Sequence, residues 1–484
     1  MGRLGRLAAG TPAGRERYVD LLRAIAIVLV VLGHWLIIEV THPSGGRLTG
    51  HSALDAIPWA PPLTWLFQVI PVFFLVGGYA NAASLRKAYD RGGRTGRTAL
   101  DWLTTRSGRL VRPTTVLIVV LAAAAAGATL VGAAGVQTRQ VVWFATIPLW
   151  FLSAYLAVVL LTPVMYALHR RFGLAVPLVL VGLVGIGDLA RFRGPESLAD
   201  ANFLFGWLAI HQVGFAWREA SAPDPAERTG PAKAGRGART GRDGSTRTRL
   251  PMSGRAGVVL VTVGLVALVL LTVVGPYPVS MLDLPGELRN SAPPTLALLA
   301  TATFQLGVVV LLRGPAERWL RRPGPWRVVV GVNAVVLTIF LWHVSATILL
   351  VGLLDRLHLL PTVAPNTAFW WLLRLPWLAG LLVLLAGLVA VFGRIEARGD
   401  RRPDTPPRWL PAACRTASRT APRAGLVVGG YLATVAGLLG NSLTANDEPA
   451  ALGLPAAALV AYLAGAAALR LVRVLPTAPT PDRR

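Results

Sequence analysis

Apolar runs long enough to cross a bilayer recur along the whole chain, and short polar segments separate them. A membrane-spanning helix needs about 20 mainly apolar residues, and the pattern predicts twelve such spans. They are 19–40, 64–83, 114–135, 144–168, 174–190, 201–217, 256–275, 295–312, 329–354, 368–393, 424–440 and 453–470. The hydrophobic pattern therefore predicts an all-α, polytopic membrane protein.

Basic residues fall mainly in alternate gaps between these spans. The 484 residues include 48 Lys and Arg, and most of these lie in segments that are cytoplasmic if the N-terminus is inside. Basic residues favour the cytoplasmic side of a membrane and the anionic lipid headgroups there. The distribution predicts cytoplasmic N- and C-termini, and it accounts for the formal net charge of +25 without a nucleic-acid partner.

Two basic inner segments divide the predicted protein into regions. Residues 219–255 are rich in Gly, Arg, Ala and Thr and are expected to form a flexible cytoplasmic loop. Residues 396–423 form an Arg- and Pro-rich linker, and residues 424–484 are predicted to form a two-helix hairpin and a tail. The chemistry is therefore expected within residues 1–395. The one cysteine, Cys414, allows no intramolecular disulfide and no cysteine-based metal site, and no metal is predicted.

One face of the first span carries the best candidate site. At 100° per residue, His34 returns to within about 20° of Arg23 and lies roughly 16 Å further along the helix. Asp20 precedes Arg23 by three residues and joins the same face. An ionisable side chain in lipid costs about 2.5–3.5 kcal/mol or more, so such residues usually face a protein interior or an aqueous cavity. A functional site is expected here, and a purely structural hydrogen bond is the alternative for His34.

A second candidate site is the basic cluster before the third span. Arg106, Arg109 and Arg112 are three residues apart, which places them on neighbouring turns of a short helix that Pro113 is expected to interrupt. Arginine suits phosphate because its planar guanidinium forms paired hydrogen bonds. The cluster is therefore a candidate for binding a soluble polyphosphate, with membrane topology and binding of membrane lipids as the alternative explanation.

Four segments together resemble the acyltransferase 3 family. They are residues 20–34, with ten residues between Arg23 and His34; residues 71–79, with Gly77 where the family usually has serine; residues 109–113; and residues 149–152. The first is similar to the family's arginine-ten-histidine motif, and the last to its Trp-Phe-Leu segment. The resemblance covers roughly residues 17–395, implies a core of about ten helices, and leaves the C-terminal hairpin unexplained.

The resemblance implies an integral membrane O-acyltransferase of the bacterial cytoplasmic membrane. Members of the family take an acyl group, commonly acetyl, from cytoplasmic acyl-coenzyme A. They deliver it to a hydroxyl of an extracytoplasmic or membrane-associated glycan, lipid or small molecule of the cell envelope. Acyl-coenzyme A is a donor substrate here, and no bound cofactor is implied.

The resemblance also assigns roles to the two candidate sites. His34 is expected to act as general base, with a covalent acyl-histidine as the less favoured variant. Arg23 and Asp20 are expected to orient the donor. The basic cluster before the third span is expected to bind coenzyme A.

Further residues are candidates for lining the cavity or binding the acceptor. They are His343, His211, Trp150, Phe151, Tyr79 and Arg374. Structural hydrogen bonding is the alternative for the two histidines, and packing is the alternative for the aromatic pair. Near the outer end of its span, Arg374 is expected to snorkel to the interface or to bind an anionic acceptor group.

A transporter is the alternative function. Twelve spans with a long inner loop after the sixth also match the layout of a major facilitator transporter, and residues 90–94 echo that family's Asp-Arg-x-Gly-Arg signature. That fold requires a repeat between its two six-span halves, and no convincing repeat is visible in the sequence. A transporter or flippase without acyl chemistry therefore stays the second hypothesis.

Overall fold

The computed structural model describes residue 10 and residues 15–41, 48–221, 249–284, 286–397, 420–450 and 452–474. Most of the predicted loop 219–255, most of the linker 396–423 and Cys414 lie outside these ranges. A two-stranded antiparallel ribbon, β1 (Ile38–Thr41) and β2 (Thr49–Ser52), directly follows the first helix, and Glu39 lies opposite His51 in it.

Helices make up nearly all of the other regular structure. In chain order they are α1 (Arg17–Ile37), α2 (Thr64–Phe67), α3 (Ile70–Gly92), α4 (Gly96–Leu130), α5 (Gly135–Thr146), α6 (Leu149–Phe172), α7 (Ala175–Arg193), α8 (Asn202–Ala220), α9 (Gly254–Val269), α10 (Leu296–Trp319), α11 (Pro323–Ala334), α12 (Val336–Arg356), α13 (Ala368–Ala397), α14 (Thr420–Leu443) and α15 (Ala456–Val474). A π-helical turn, Leu270–Val274, extends α9.

Eleven helices within the described residues are long and apolar enough to cross a membrane. They confirm the prediction of a polytopic helical membrane protein. The predicted sixth span is present as α8, which is not among the eleven because polar residues such as His211 and Gln212 lower its hydropathy. Most of its side chains are buried, so α8 is enclosed by protein.

The helix that carries the basic cluster runs without a break. It extends from Gly96 to Leu130 with Pro113 inside it, so the predicted interruption at this proline is wrong. The hydroxyl of Thr114 donates to the carbonyl of Leu110 at 2.8 Å. The carbonyl that Pro113 leaves without its donor is that of Arg109, one residue before the one that Thr114 contacts. Membrane helices tolerate such a proline where the surrounding structure accommodates the freed group.

The predicted ninth span, by contrast, is divided in two. Helix α11 ends at Ala334 and α12 begins at Val336. The carboxylate of Glu396 accepts hydrogen bonds from the backbone N–H groups of Leu337 at 3.1 Å and Thr338 at 2.7 Å. These N–H groups lack partners inside the helix, and a negative charge at a helix N-terminus is favourable. Glu396 therefore caps a second helix start within the apolar stretch.

The chain forms two compact units. The first comprises Met1–Ser84, Leu161–Val336 and Leu359–Leu378, and the second comprises Leu85–Leu160, Leu337–His358 and Ala379–Arg484. In the first unit, α3 and α8 cross at very short distance. A Cβ atom on Gly78 would lie 2.0 Å from the carbonyl oxygen of His211, and one on Gly214 would lie 2.2 Å from that of Leu75. The crossing therefore requires glycine at both positions.

In the second unit, the predicted C-terminal hairpin is present as α14 and α15. A buried arginine of α5, Arg139, fastens it to the rest of the unit. Arg139 donates hydrogen bonds to Asn441 Oδ1 at 3.0 Å and to the carbonyl oxygens of Asn441, Thr444 and Gly453 at 3.2, 3.1 and 3.3 Å. Buried charged groups are tolerated when they are fully hydrogen-bonded, so this arginine depends on the hairpin.

Candidate functional site

The face of helix α1 that carries Arg23 and His34 lies opposite the exposed face of this helix. Ile25 and Val28 are 44% and 43% exposed, and Ile25 lies about 180° from His34 around the helix. Ile27 shares the face of Arg23 and His34, and it is fully buried. The exposed apolar side chains are therefore available to lipid, whereas Arg23 and His34, both half-buried, lie on the protein side.

The N-terminal end of this face holds an ion pair. Asp20 is buried, and its Oδ1 lies 3.2 Å from Nη1 of Arg23. Its other carboxylate oxygen accepts a hydrogen bond from Arg15 Nε at 2.5 Å. The Arg23 side chain keeps 28% of its surface exposed. Asp20 therefore orients the Arg23 guanidinium, while part of the Arg23 side chain stays exposed.

Asn333, which the sequence analysis did not single out, completes this arrangement. Its Nδ2 donates to the backbone carbonyl of Asp20 at 2.9 Å, and its Oδ1 accepts from Arg23 Nη1 at 3.5 Å. Asn333 lies in the last turn of α11, just before the helix is interrupted ahead of α12. The available signal was a polar residue inside a predicted span, which usually marks a polar contact.

A further group of charges flanks the start of α1. Arg313 of α10 pairs with Glu317 at 2.7 Å and with Glu16 at 3.4 Å. Burial raises the pKa of Glu16, and Glu317 raises it further, while Arg313 acts in the opposite direction. These residues hold the N-terminus of α1 against α10, and none of them was predicted as a site residue.

Tyr79 lies among aromatic and cationic groups of the first unit. It is 8% exposed, and its ring meets the Trp217 ring edge-on at 5.2 Å between centroids. The guanidinium of Arg218 lies 5.8 Å from the centre of the Tyr79 ring. This environment packs Tyr79 on α8 and gives it a cation–π contact.

A second arginine–carboxylate pair lies at the C-terminal end of α1, and this pair is buried. Arg374 of α13 is 8% exposed, so it does not snorkel to the interface as expected. Its Nη2 lies 3.2 Å from Glu39 Oε2, and its Nη1 donates to the carbonyl of Ile38 at 3.1 Å. Trp370 donates to the same Glu39 oxygen at 2.9 Å, and its ring lies 4.0 Å from the Arg374 guanidinium carbon.

A small cavity of about 40 Å³ adjoins this pair. Ile38, Glu39, Trp370 and Arg374 are among its lining residues. Ile38 is also one helical turn beyond His34, because its N–H donates to the His34 carbonyl. Glu39 was not predicted as a site residue, although its position five residues after His34 was a signal. The C-terminal end of α1 thus offers a neutralised arginine beside aromatic rings.

His211 is fully buried in α8. Its Nε2 lies 3.0 Å from Nδ2 of Asn81, and its ring meets Phe215 edge-on at 4.9 Å. Since the asparagine amide nitrogen only donates, Nε2 of His211 accepts this hydrogen bond. The geometry matches the structural alternative for this histidine, and it adds Asn81 as a partner that the sequence analysis did not name.

In the second unit, His343 lies in a cluster with the aromatic pair of α6, Trp150 and Phe151. His343 is fully buried, and its Nδ1 lies 2.6 Å from the carbonyl oxygen of Phe340. A carbonyl only accepts, so Nδ1 carries the proton and Nε2 of the neutral ring is the acceptor nitrogen. Phe340 meets Phe151 at 5.3 Å, and Phe151 meets Trp150 at 6.5 Å, both edge-on.

The basic cluster lies on α4 of the second unit. Arg109 and Arg112 are exposed, and neither forms a hydrogen bond or ion pair within the described residues. Arg106 is half-buried, and its guanidinium carbon lies 5.9 Å from the centre of the Trp102 ring. Two of the three arginines are therefore available to an anion from solution.

The structure thus brings some of the predicted residues together and separates others. Asp20, Arg23 and His34 share one face of α1, while Tyr79, His211 and Arg374 lie elsewhere in the first unit. The second unit holds Trp150, Phe151 and His343 in one cluster and the three arginines on α4. Within the described residues, no group of three or more His, Cys, Asp or Glu residues could hold a metal ion.

The sequence was also compared with known proteins. A profile described as an acyltransferase domain, that of the acyltransferase 3 family, matches residues 16–393. No curated protein and no solved structure is significantly similar to the chain. The matched range includes both ends of the charged face of α1 and all the other predicted site residues.

Proposed function

Because the chain belongs to the acyltransferase 3 family, we propose that it moves an acyl group from cytoplasmic acyl-coenzyme A to an acceptor hydroxyl on the outer side. Membership makes it an O-acyltransferase, and its candidate spans make it a multi-pass membrane protein. The observation that carries the proposal is the face of α1 that presents Asp20, Arg23 and His34. The family match over residues 16–393 favours this function over a transporter or flippase.

His34 is the proposed general base. Its neutral imidazole accepts the proton of the acceptor hydroxyl as that oxygen attacks the thioester carbonyl carbon. The new C–O bond forms, the C–S bond breaks, and the imidazolium returns the proton to the coenzyme A thiolate. The half-buried position of His34 on the protein side of α1 supports this role, because a base in lipid would meet neither substrate.

Arg23 is the proposed contact for the anionic part of the donor at the cytoplasmic end of α1. Asp20 and Asn333 fix its guanidinium, and the 28% of its side chain that stays exposed lets an incoming phosphate approach this charge. The exposed arginines of α4 are proposed separately to bind coenzyme A phosphates. Arginine is suited to both tasks because it stays charged and forms paired hydrogen bonds.

The acceptor is proposed to approach the outer end of α1, in the bacterial cytoplasmic membrane. Arg374 is neutralised by Glu39 there, so the cavity beside them suits a neutral hydroxyl better than an anionic group. An acetyl group is the proposed acyl group, and a glycan, lipid or small molecule of the cell envelope is the proposed acceptor class. His343, with its acceptor nitrogen, is a further candidate for contacting substrate.

The decisive experiment replaces His34 by Asn and follows label transfer from [¹⁴C]acetyl-coenzyme A to envelope material in membranes. Loss of general base catalysis is expected to reduce transfer by about 100-fold or more. The matched control is His358→Asn, because His358 is exposed, has a φ of 54° and Asn tolerates that conformation. Transfer at the wild-type rate in correctly folded His34→Asn would remove His34 from the mechanism.

A further inference from the structure

The C-terminal hairpin, α14 and α15, lies outside the range that the family profile matches, and the proposed function gives it no role. Its two helices pack closely. A Cβ atom on Gly437 would lie 2.5 Å from the backbone nitrogen of Tyr462, and one on Gly465 would lie 2.5 Å from that of Thr434. Backbones in such close contact have little room to move relative to each other, so the hairpin is a rigid element.

Both hairpin helices pack against α4, the helix that carries the basic cluster. Near the start of α4, Asp101 pairs with Arg423 of α14 at 2.8 Å. The hydroxyl of Tyr431, also on α14, donates to the carbonyl of Leu103 at 2.9 Å. These two contacts hold the part of α4 that precedes Pro113.

A third contact spans Pro113. The hydroxyl of Tyr462 on α15 donates to the carbonyl of Val111 at 3.2 Å and lies 2.9 Å from the hydroxyl oxygen of Thr115. The Thr115 hydroxyl in turn donates to the same Val111 carbonyl at 2.8 Å. Tyr462 is 1% exposed. One buried hydroxyl of the hairpin therefore contacts α4 on both sides of its proline.

Pro113 is the position at which α4 can bend. The helix continues through it, but a proline removes the hydrogen bond to the carbonyl four residues earlier, here that of Arg109, and crowds it. Prolines are for this reason a main cause of helix kinks. Arg109 and Arg112 lie just before Pro113 and are exposed. A change in the angle at Pro113 would therefore move both arginines relative to the rest of α4.

The hairpin contacts a different face of α4 from the one that carries Arg109. At 100° per residue, Arg109 is about 160° from Val111 around the helix. The exposed arginine side chains therefore stay open to an anion, while the Tyr462 hydroxyl holds the backbone on the other side of the helix.

We propose that Tyr462 is a positioning residue for the donor. It fixes the angle of α4 at Pro113, and thereby holds Arg109 and Arg112 where they bind the phosphates of coenzyme A. This inference rests on the proposed function of those two arginines. It gives the hairpin, which the family match does not cover, a part in donor binding.

The test removes only the hydroxyl, with Tyr462→Phe, and measures acyl transfer in membranes that contain the full chain. The KM for acetyl-coenzyme A is expected to rise about two- to ten-fold, which is the effect of one hydrogen bond. The kcat, and the KM for S-acetylpantetheine without the nucleotide phosphates, are expected to stay unchanged. An unchanged KM for acetyl-coenzyme A would overturn the inference.

Tyr431→Phe is the matched control. Tyr431 is equally buried and also donates to a carbonyl of α4, but it contacts α4 on one side of Pro113 only. This variant is expected to lower the thermal stability of the purified protein about as much as Tyr462→Phe and to leave the KM unchanged. An equal rise in KM would mean that any lost contact with the hairpin has this effect, and would refute the specific role of Tyr462.

A double variant, Arg109→Gln with Arg112→Gln, separates this inference from the proposed function. It is expected to raise the KM for acetyl-coenzyme A about ten-fold or more, because it removes charge-assisted hydrogen bonds to phosphate. If the double variant raises the KM and Tyr462→Phe does not, the inference fails and the proposed donor site stands. If the double variant leaves the KM unchanged, the proposed donor site fails and the inference fails with it.

Discussion

The two ends of α1 each carry an arginine–carboxylate pair, and the pairs differ in exposure. At the N-terminal end, which is the inner end in the proposed orientation, Arg23 keeps 28% of its side chain exposed beside Asp20. At the C-terminal end, which is the outer end in that orientation, Arg374 keeps 10% of its side chain exposed beside Glu39, and tryptophan rings cover it. The same chemical pair is therefore open at one end of the helix and closed at the other.

The difference in exposure suggests different roles for the two pairs: one is suited to binding a substrate, and the other to stabilising the fold. A partly exposed arginine side chain can be approached by an incoming anion, whereas a buried pair has its charges balanced and its surface covered. The inner pair is thus suited to an anionic donor such as acyl-coenzyme A. The outer pair is suited to holding α13 against the end of α1 and to leaving the adjoining cavity neutral.

The largest effect is expected on stability, from Glu39→Gln. This change leaves Arg374 buried without its counter-charge, and breaking a buried pair in this way costs about 3–5 kcal/mol. Thermal unfolding of the purified protein in detergent measures the loss. Asp20→Asn is the comparison, and a smaller loss is expected because the partners of Asp20 are partly exposed. Equal losses would mean that the two pairs do not differ as described.

A smaller effect is expected on donor binding, from Arg23→Gln. Removing a charge-assisted hydrogen bond is expected to raise the KM for acetyl-coenzyme A about ten-fold or more, with little change in thermal stability. S-acetylpantetheine, which lacks the nucleotide phosphates, is expected to lose much less. Arg318→Gln is the control, because Arg318 is exposed on α10. An unchanged KM would assign Arg23 to structure alone.

The smallest effect is expected from Asn333→Ala. The variant removes one hydrogen bond to Asp20 and one to Arg23, so kcat/KM for acetyl-coenzyme A is expected to fall about three- to ten-fold. Arg15→Gln removes the Arg15–Asp20 ion pair. The Arg15 side chain is 44% exposed, so this variant is expected to have a smaller effect on kcat/KM. The reverse order would show that Arg15 orients the inner pair.

The sequence predicted what local periodicity determines. Span length and hydropathy identified the membrane helices, and the helical repeat placed Asp20, Arg23 and His34 on one face. The partners of that face were not predictable in the same way. Asn333 and Glu39 meet residues that are about 310 and 335 positions away in the chain, and no local pattern encodes such contacts.

Helix ends were the other source of error. A hydropathy window measures apolar length, so it merged α11 and α12 into one span, although Glu396 caps a new helix start there. The rule that proline interrupts a helix gave the opposite error at Pro113, because α4 continues through this proline and membrane helices can tolerate one. Both outcomes depend on local structure that composition does not reveal.

Arg139 links the order of synthesis to the completion of the fold. Its hydrogen-bond partners at residues 441, 444 and 453 leave the ribosome about three hundred residues after it does. Until the last two helices insert, the Arg139 guanidinium must stay hydrated or form hydrogen bonds with other groups. A nascent chain that stops before the hairpin thus lacks these hydrogen-bond partners of Arg139, and burying the cation without them would be costly.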